Sequence, residues 1–219
     1  MPEQAQNRRD LFLLLSLVLV ILMYPLLDHG DLERLILGAM VFVPVVLATL
    51  TMAQTEGWVW LPILLMSCVL VLGVASTLFP NRALLATRWV VLAAFFGLAV
   101  TRLFSYLRNA RTITASHLFT AVSVYMLLGM LFFTLYSALE VLRSGSFQLG
   151  NSVATDRPSD LLYFSLITLS TIGYGDIVPV YGEARMLAAL EGMIGVLYVA
   201  ITIALLVSAY GQRSNSLQE

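Results

Sequence analysis

TLSTIGYGDIVP, residues 168–179, sets two glycines around a tyrosine, with hydroxyl side chains before them and an aspartate after. Apolar runs flank it on both sides. The run before it, Ser159–Ser170 (SDLLYFSLITLS), is too short to cross a bilayer, whereas Ala184–Tyr210 after it is long enough. The whole chain shares this apolar character. It has 59% hydrophobic and 11% charged residues and a mean hydropathy of +0.89, where soluble domains carry about a quarter charged residues. That composition is one of an integral membrane protein. A net charge of −1 gives no basic surface of the kind nucleic acids need.

About 20 apolar residues cross the roughly 30 Å of hydrocarbon in a bilayer. Six segments meet or approach that length: Leu11–Leu27, Leu35–Thr51, Trp58–Phe79, Leu84–Leu107, Ser116–Leu142 and Ala184–Tyr210. Trp58, Trp60 and Trp89 fall near span ends, as an aromatic belt requires, and Pro44 and Pro62 are expected to kink their helices. Arg8 and Arg9 before the first span resemble the start of a secretory leader, but no small-x-small cleavage site follows, so the helix is read as retained. Arg143–Pro158 reads as an exposed loop, with Ser159 or Asp160 capping a half-membrane helix behind it. Cys68, the single cysteine, has no intrachain partner and reads as a small apolar residue. Arginines divide almost evenly between the two sides, so orientation must come from the glycine stretch rather than from charge.

Irregular backbone at membrane depth is tolerated only where it is buried in protein or lines water. A half-helix running into Gly-Tyr-Gly therefore implies a re-entrant loop facing an aqueous path. Gly173 and Gly175 can take positive φ, letting the carbonyls around Ile172 and Tyr174 turn toward one axis. Such oxygens can replace the hydration of a monovalent cation, whose unaided transfer to low dielectric costs on the order of 20 kcal/mol. One loop supplies one side of the cage, so several chains must share the axis. Four would give about eight oxygens between adjacent rings.

TLSTIGYGD, residues 168–176, with Pro179 after it, resembles the selectivity-filter signature of tetrameric potassium channels. The resemblance runs over roughly Tyr163–Tyr210. It implies an all-α membrane fold with six transmembrane helices, a pore helix and a filter loop, assembled as a homotetramer. It further implies K⁺ sites formed by the carbonyls of Thr171, Ile172, Gly173 and Tyr174 and by the Thr171 hydroxyl, with Gly175 closing the filter and Asp176 at the outer mouth. Tyr174 would pack outward against the pore helix. Gly195 matches the inner-helix hinge by its offset, and Val196, Val199, Ile203 and Val207 would line the pore below; Thr202 is expected to bond its own helix. Ile172 stands where many relatives carry Val, and Ser170 where many carry Thr. Residues 1–112 then form a four-helix domain, 113–213 the pore domain and 214–219 a short tail, with both termini cytoplasmic. No cofactor is implied besides K⁺ itself, and no enzymatic activity.

Glu191 is an ionisable residue within a span, where such groups are costly and usually functional. It is expected to support the filter by bonding the backbone of the pore helix or loop. The alternative is a polar crevice near Arg185. Voltage sensors carry arginines at every third position, but the fourth span holds only Arg88 and Arg102, with Arg82 and Arg108 at its edges. Strong voltage gating is therefore not expected. The run Arg102–Arg111 is a candidate for anionic lipid headgroups at Arg102, Arg108 and Arg111. His29 and His117 read as ordinary solvated or interfacial histidines. The nine residues after Tyr210 are too few for a regulatory domain. The short connection from Arg108 to Ser116 suggests that the first four helices pack on a neighbouring subunit's pore. Other readings are a weakly voltage-dependent channel, a K⁺-uptake subunit and a modifier that needs a partner.

Overall fold

The computed structural model describes residues 2–24, 41, 43–51, 60–79, 81–110, 114–150, 152–153 and 158–215. The chain runs through α1 (Pro2–Met23), a helical stretch at 43–51, α2 (Trp60–Leu78), α3 (Arg82–Arg108) and α4 (Ala115–Leu142). It continues through β1 (Phe147–Leu149), β2 (Ser152–Val153), α5 (Pro158–Leu169), β3 (Ile177–Pro179) and α6 (Gly182–Asn215). Among the described residues, Arg82–Arg108, Ala115–Leu142 and Gly182–Ser208 are long and apolar enough to cross a membrane. α1 starts well before Leu11, which makes Asp10 a helical residue. Parts of the expected second and third spans, with His29, Trp58 and Arg111, lie outside the described residues. Pro62 is buried in the first turn of α2, where its missing N–H breaks no helical bond and no kink is required.

Side chains fix the ends of α3 and α4. Asn81 caps α3 by accepting the Ala83 N–H at 2.9 Å. At the start of α4 the Thr114 N–H donates to His117 Nδ1 at 3.2 Å, the reach-back bond of a capping box. His117 also stacks on Tyr106, with ring centroids 4.9 Å apart and planes 6° from parallel. It is a structural cap at the end of a span, a role that the reading as an ordinary solvated or interfacial histidine did not assign.

The connection from Asn109 to Thr114 is short, so α3 and α4 form an antiparallel hairpin. α3 lies along α4 of its own chain, α1 packs on α4 and α2 on α3. Phe133 of α4 makes edge contacts with Tyr24 and Trp89, each with centroids 5.4 Å apart. Phe95, Phe96, Leu103, Leu127 and Met130 are fully buried around this junction. In hydrocarbon such contacts act through close packing rather than through expulsion of water. The expectation that the first helices pack on a neighbouring pore is thus corrected, because a connector this short delivers α3 to its own α4. Arg102–Arg108 forms the last two turns of α3 and is not a separate linker along the membrane surface.

The segment from Arg143 to Pro158 is more than an exposed loop. β1 pairs antiparallel with both β2 and β3, in the order β2-β1-β3, with Gln148 opposite Val153 on one side and Val178 on the other. Phe147 is fully buried and meets Tyr136 and Phe164 at centroid distances of 5.1 and 5.3 Å. The helical fold therefore carries one small sheet, and it holds β3 directly after the glycine stretch. α5 opens at Pro158, so Ser159 and Asp160 lie in its first turn rather than at its cap. Its 12 residues reach about 18 Å, roughly half a bilayer.

Candidate functional site

Backbone bonds hang the glycine stretch from the end of α5. The Ser170 N–H donates to Leu166 O at 3.1 Å, Thr171 to Thr168 O at 3.0 Å and Gly173 to Ile167 O at 3.1 Å. Positive φ then falls on every second residue: 60° at Thr171, 52° at Gly173 and 77° at Gly175. Ile172 and Tyr174 between them lack it. This alternation turns successive peptide planes so that their carbonyls can share one side of the strand. Glycine adopts the left-handed conformation freely. For Thr171 it costs on the order of 1–2 kcal/mol, and the bond to Thr168 helps to hold it there.

The far end of the stretch is anchored as well. Asp176 accepts the Ile177 N–H at 3.0 Å and the Tyr163 hydroxyl at 2.9 Å. The Gly150 N–H donates to Asp176 O at 3.2 Å, tying the loop to the small sheet. Thr171 through Asp176 are nonetheless all exposed. Tyr174 is 71% exposed on the single chain. Among the described residues no group of three or more His, Cys, Asp or Glu side chains sits together.

Below the loop lies a cavity of about 360 Å³, lined by Tyr125, Leu169, Thr171, Gly195, Val196 and Val199 among others. The C-terminus of α5 points into this region, with Leu169 O accepting the Tyr125 hydroxyl at 3.1 Å. α6 passes so close that a Cβ on Gly195 would sit 2.1 Å from Leu169 O. The helix is continuous through that residue. Val196, Val199, Ile203 and Val207 are all exposed and recur at the three- and four-residue spacing of one helical stripe. Thr202 is buried away from that stripe, with its hydroxyl beside Tyr198 of the same helix.

Glu191 faces inward from α6 and is fully buried. Its Oε2 meets the Tyr136 hydroxyl of α4, and its Oε1 lies 2.5 Å from Ser165 Oγ of α5. The expected contact with the pore-helix region is there, but to hydroxyl side chains rather than to backbone. The alternative placement near Arg185 is excluded, since Arg185 is exposed and Glu191 is not. Sequence reasoning missed Glu140, a buried carboxylate near the end of α4 whose Oε1 accepts the Gly145 N–H at 2.5 Å. Its signal was available as another acidic residue at the edge of an apolar run. It also missed Arg143, which pairs with Glu183 at 3.0 Å and lies 3.8 Å from the centroid of the Tyr181 ring.

Residues 120–212 match a protein family described as "Ion channel". The two pore potassium channel a of Oryza sativa subsp. japonica is 34% identical over 80 residues, which are 36% of this chain and 20% of that one. The inward rectifier potassium channel Kirbac3.1 of Paramagnetospirillum magnetotacticum is 31% identical over 87 residues, covering 36% of this chain and 30% of its own. The human potassium voltage-gated channel subfamily KQT member 3 is 46% identical over 48 residues, 22% of this chain and 6% of that one. This chain thus covers less than a third of the length of any of these relatives. No solved structure matches it. The similarity is to channels and not to enzymes.

Proposed function

We propose that this chain, whose residues 120–212 match a family described as "Ion channel" and which resembles potassium channels, is one subunit of a homotetrameric, K⁺-selective passive pore. The observation that carries the reading is the alternation of positive φ at Thr171, Gly173 and Gly175 in an exposed loop at the end of a half-membrane helix. Carbonyls of Thr171, Ile172, Gly173 and Tyr174, with the Thr171 hydroxyl, take the place of water around K⁺, and Gly175 and Asp176 form the exit. The C-terminus of α5, the negative end of its dipole, favours a cation in the cavity below. The apolar stripe of Val196, Val199, Ile203 and Val207 lines the lower pore, and Gly195, the proposed hinge, is where the helix passes closest to the end of α5. Tyr174, bare on its own chain, finds its packing partner on a neighbouring subunit. Glu191 braces the filter-bearing helix from behind. The N- and C-termini face the cytoplasm, and Arg102, Arg108 and Arg111 bind anionic lipid headgroups.

The names of these relatives differ, two pore, inward rectifier and voltage-gated, while the matched stretches are short. We read the channel as lacking strong voltage gating. The test is reconstitution of the purified protein, without partners, into liposomes with K⁺ or Na⁺ gradients. Assemblies of four copies that pass K⁺ well ahead of Na⁺ are expected. Equal passage of Na⁺ would sink the filter reading, and absence of flux without a partner would favour a modifier subunit.

A further inference from the structure

The contacts of Glu191 fix a hydrogen count. Three oxygen pairs lie in a row: Tyr136 Oη with Glu191 Oε2, Glu191 Oε1 with Ser165 Oγ at 2.5 Å, and Ser165 Oγ with Gly129 O at 2.8 Å. Each pair needs one hydrogen between its oxygens. Tyr136 and Ser165 bring one each, and the Gly129 carbonyl has none to give. The third has one remaining source.

We infer that Glu191 is held as the neutral carboxylic acid, donating its proton to Ser165, and that this proton fastens α6 to α5 and α4 together. The bonds then run in one direction: Tyr136 donates to Glu191, Glu191 to Ser165, and Ser165 to Gly129 O. An ionised Glu191 would leave the Ser165 hydroxyl with two acceptors and one hydrogen. Two oxygens would then face each other lone pair to lone pair at 2.5 or 2.8 Å. The groups facing Glu191 from its neighbours are Tyr136 and, farther off, Tyr125 on α4, and Ser165 on α5. None of them is a cation. A bare carboxylate inside a span with no cation beside it is a costly arrangement.

That the braced helix carries a filter rests on the pore reading above; the position of the proton rests on the oxygen geometry alone. Glutamine reproduces the pattern of the acid, since its carbonyl can accept from Tyr136 while its NH₂ donates to Ser165. The test is infrared difference spectroscopy of reconstituted full-length protein at neutral pH, comparing wild type with Glu191→Gln and Ser165→Ala. A protonated carboxyl C=O band is expected in wild type, lost in Glu191→Gln and moved to higher frequency in Ser165→Ala, where its acceptor is gone. A Glu191→Gln difference containing only carboxylate bands overturns the inference. Should that variant not assemble, Ser165→Ala decides, and an unmoved acid band overturns it. In the flux assay Glu191→Gln retains wild-type K⁺ passage and Glu191→Leu loses it; loss in both overturns the brace. The band is read without conduction, so it stands or falls separately from the channel reading.

Discussion

At Gly195 the requirement is for space. An added methyl would lie 2.1 Å from Leu169 O and 3.0 Å from Leu169 C, both backbone atoms that cannot swing aside as the Leu169 side chain at 3.2 Å could. Overpacking of that kind costs roughly 1–3 kcal/mol, and relief requires α6 to move away from the end of α5. Gly195→Ala is therefore expected to lower the thermal stability of the detergent-solubilised protein by about that amount. Gly192→Ala, whose methyl would meet Thr168 O at an ordinary 3.7 Å, is expected to change it little. Equal melting of the two variants would refute the packing argument. The sequence singled out Gly195 by its offset from the filter and read it as a hinge, because a close approach between two helices leaves no trace in local order. Gly173 and Gly175 were legible for the opposite reason, since the demand for positive φ is local. Glu191 lies between these cases. Its cost inside a span marked it, but its partner Tyr136 is 55 residues away and no spacing rule reaches that far.

Between elements, the contact of α1 with the start of α4 has a buried acid at its centre. Asp10 is 1% exposed and accepts the Ser116 hydroxyl. Beside it Gln6 donates to the Tyr106 hydroxyl at 3.0 Å, and Tyr106 stacks on the capping His117. Burial raises the carboxyl of Asp10 above its ordinary value of 3.8, outweighing the lowering by its hydrogen bond to Ser116. The folded state thus holds this proton more tightly than the unfolded chain. The stabilising contribution is complete below pH 3.8 and is lost as pH rises through the raised value. Asp10→Asn removes the titration, so its melting temperature relative to wild type is expected to climb as pH rises from about 4 toward neutrality. A pH-independent difference would show that Asp10 is ionised in the fold. This junction was hidden in the sequence because Asp10 precedes the apolar run and its partner Ser116 lies 106 residues away. The small sheet was hidden because strands of two and three residues carry no usable period. The long helices were plain, their length and apolarity being averages over many residues.

For the whole molecule the open matter is whether α1–α3 sense voltage. One elementary charge crossing the full field contributes about 2.3 kcal/mol per 100 mV, so a steep response needs several charges moving together. α3 offers Arg88 and Arg102 between its ends, fourteen residues or about 21 Å apart, which puts them toward opposite faces of the bilayer. Arg88 is half-buried, 3.5 Å from Ser76 Oγ of α2 and 5.6 Å from the centroid of the Trp89 ring. That ring is locked edge-on against Phe133 of α4. Sliding α3 along its axis would break this packing on α4, while carrying each arginine only a small way through the field. Planar-bilayer recordings in symmetrical K⁺ are therefore expected to give open probability that varies shallowly with voltage. Arg88→Gln should leave that dependence unshifted, because the charge it removes does not travel. A steep sigmoidal activation curve, displaced along the voltage axis by Arg88→Gln, would instead make α3 a moving sensor and require a second arrangement of the α3–α4 hairpin.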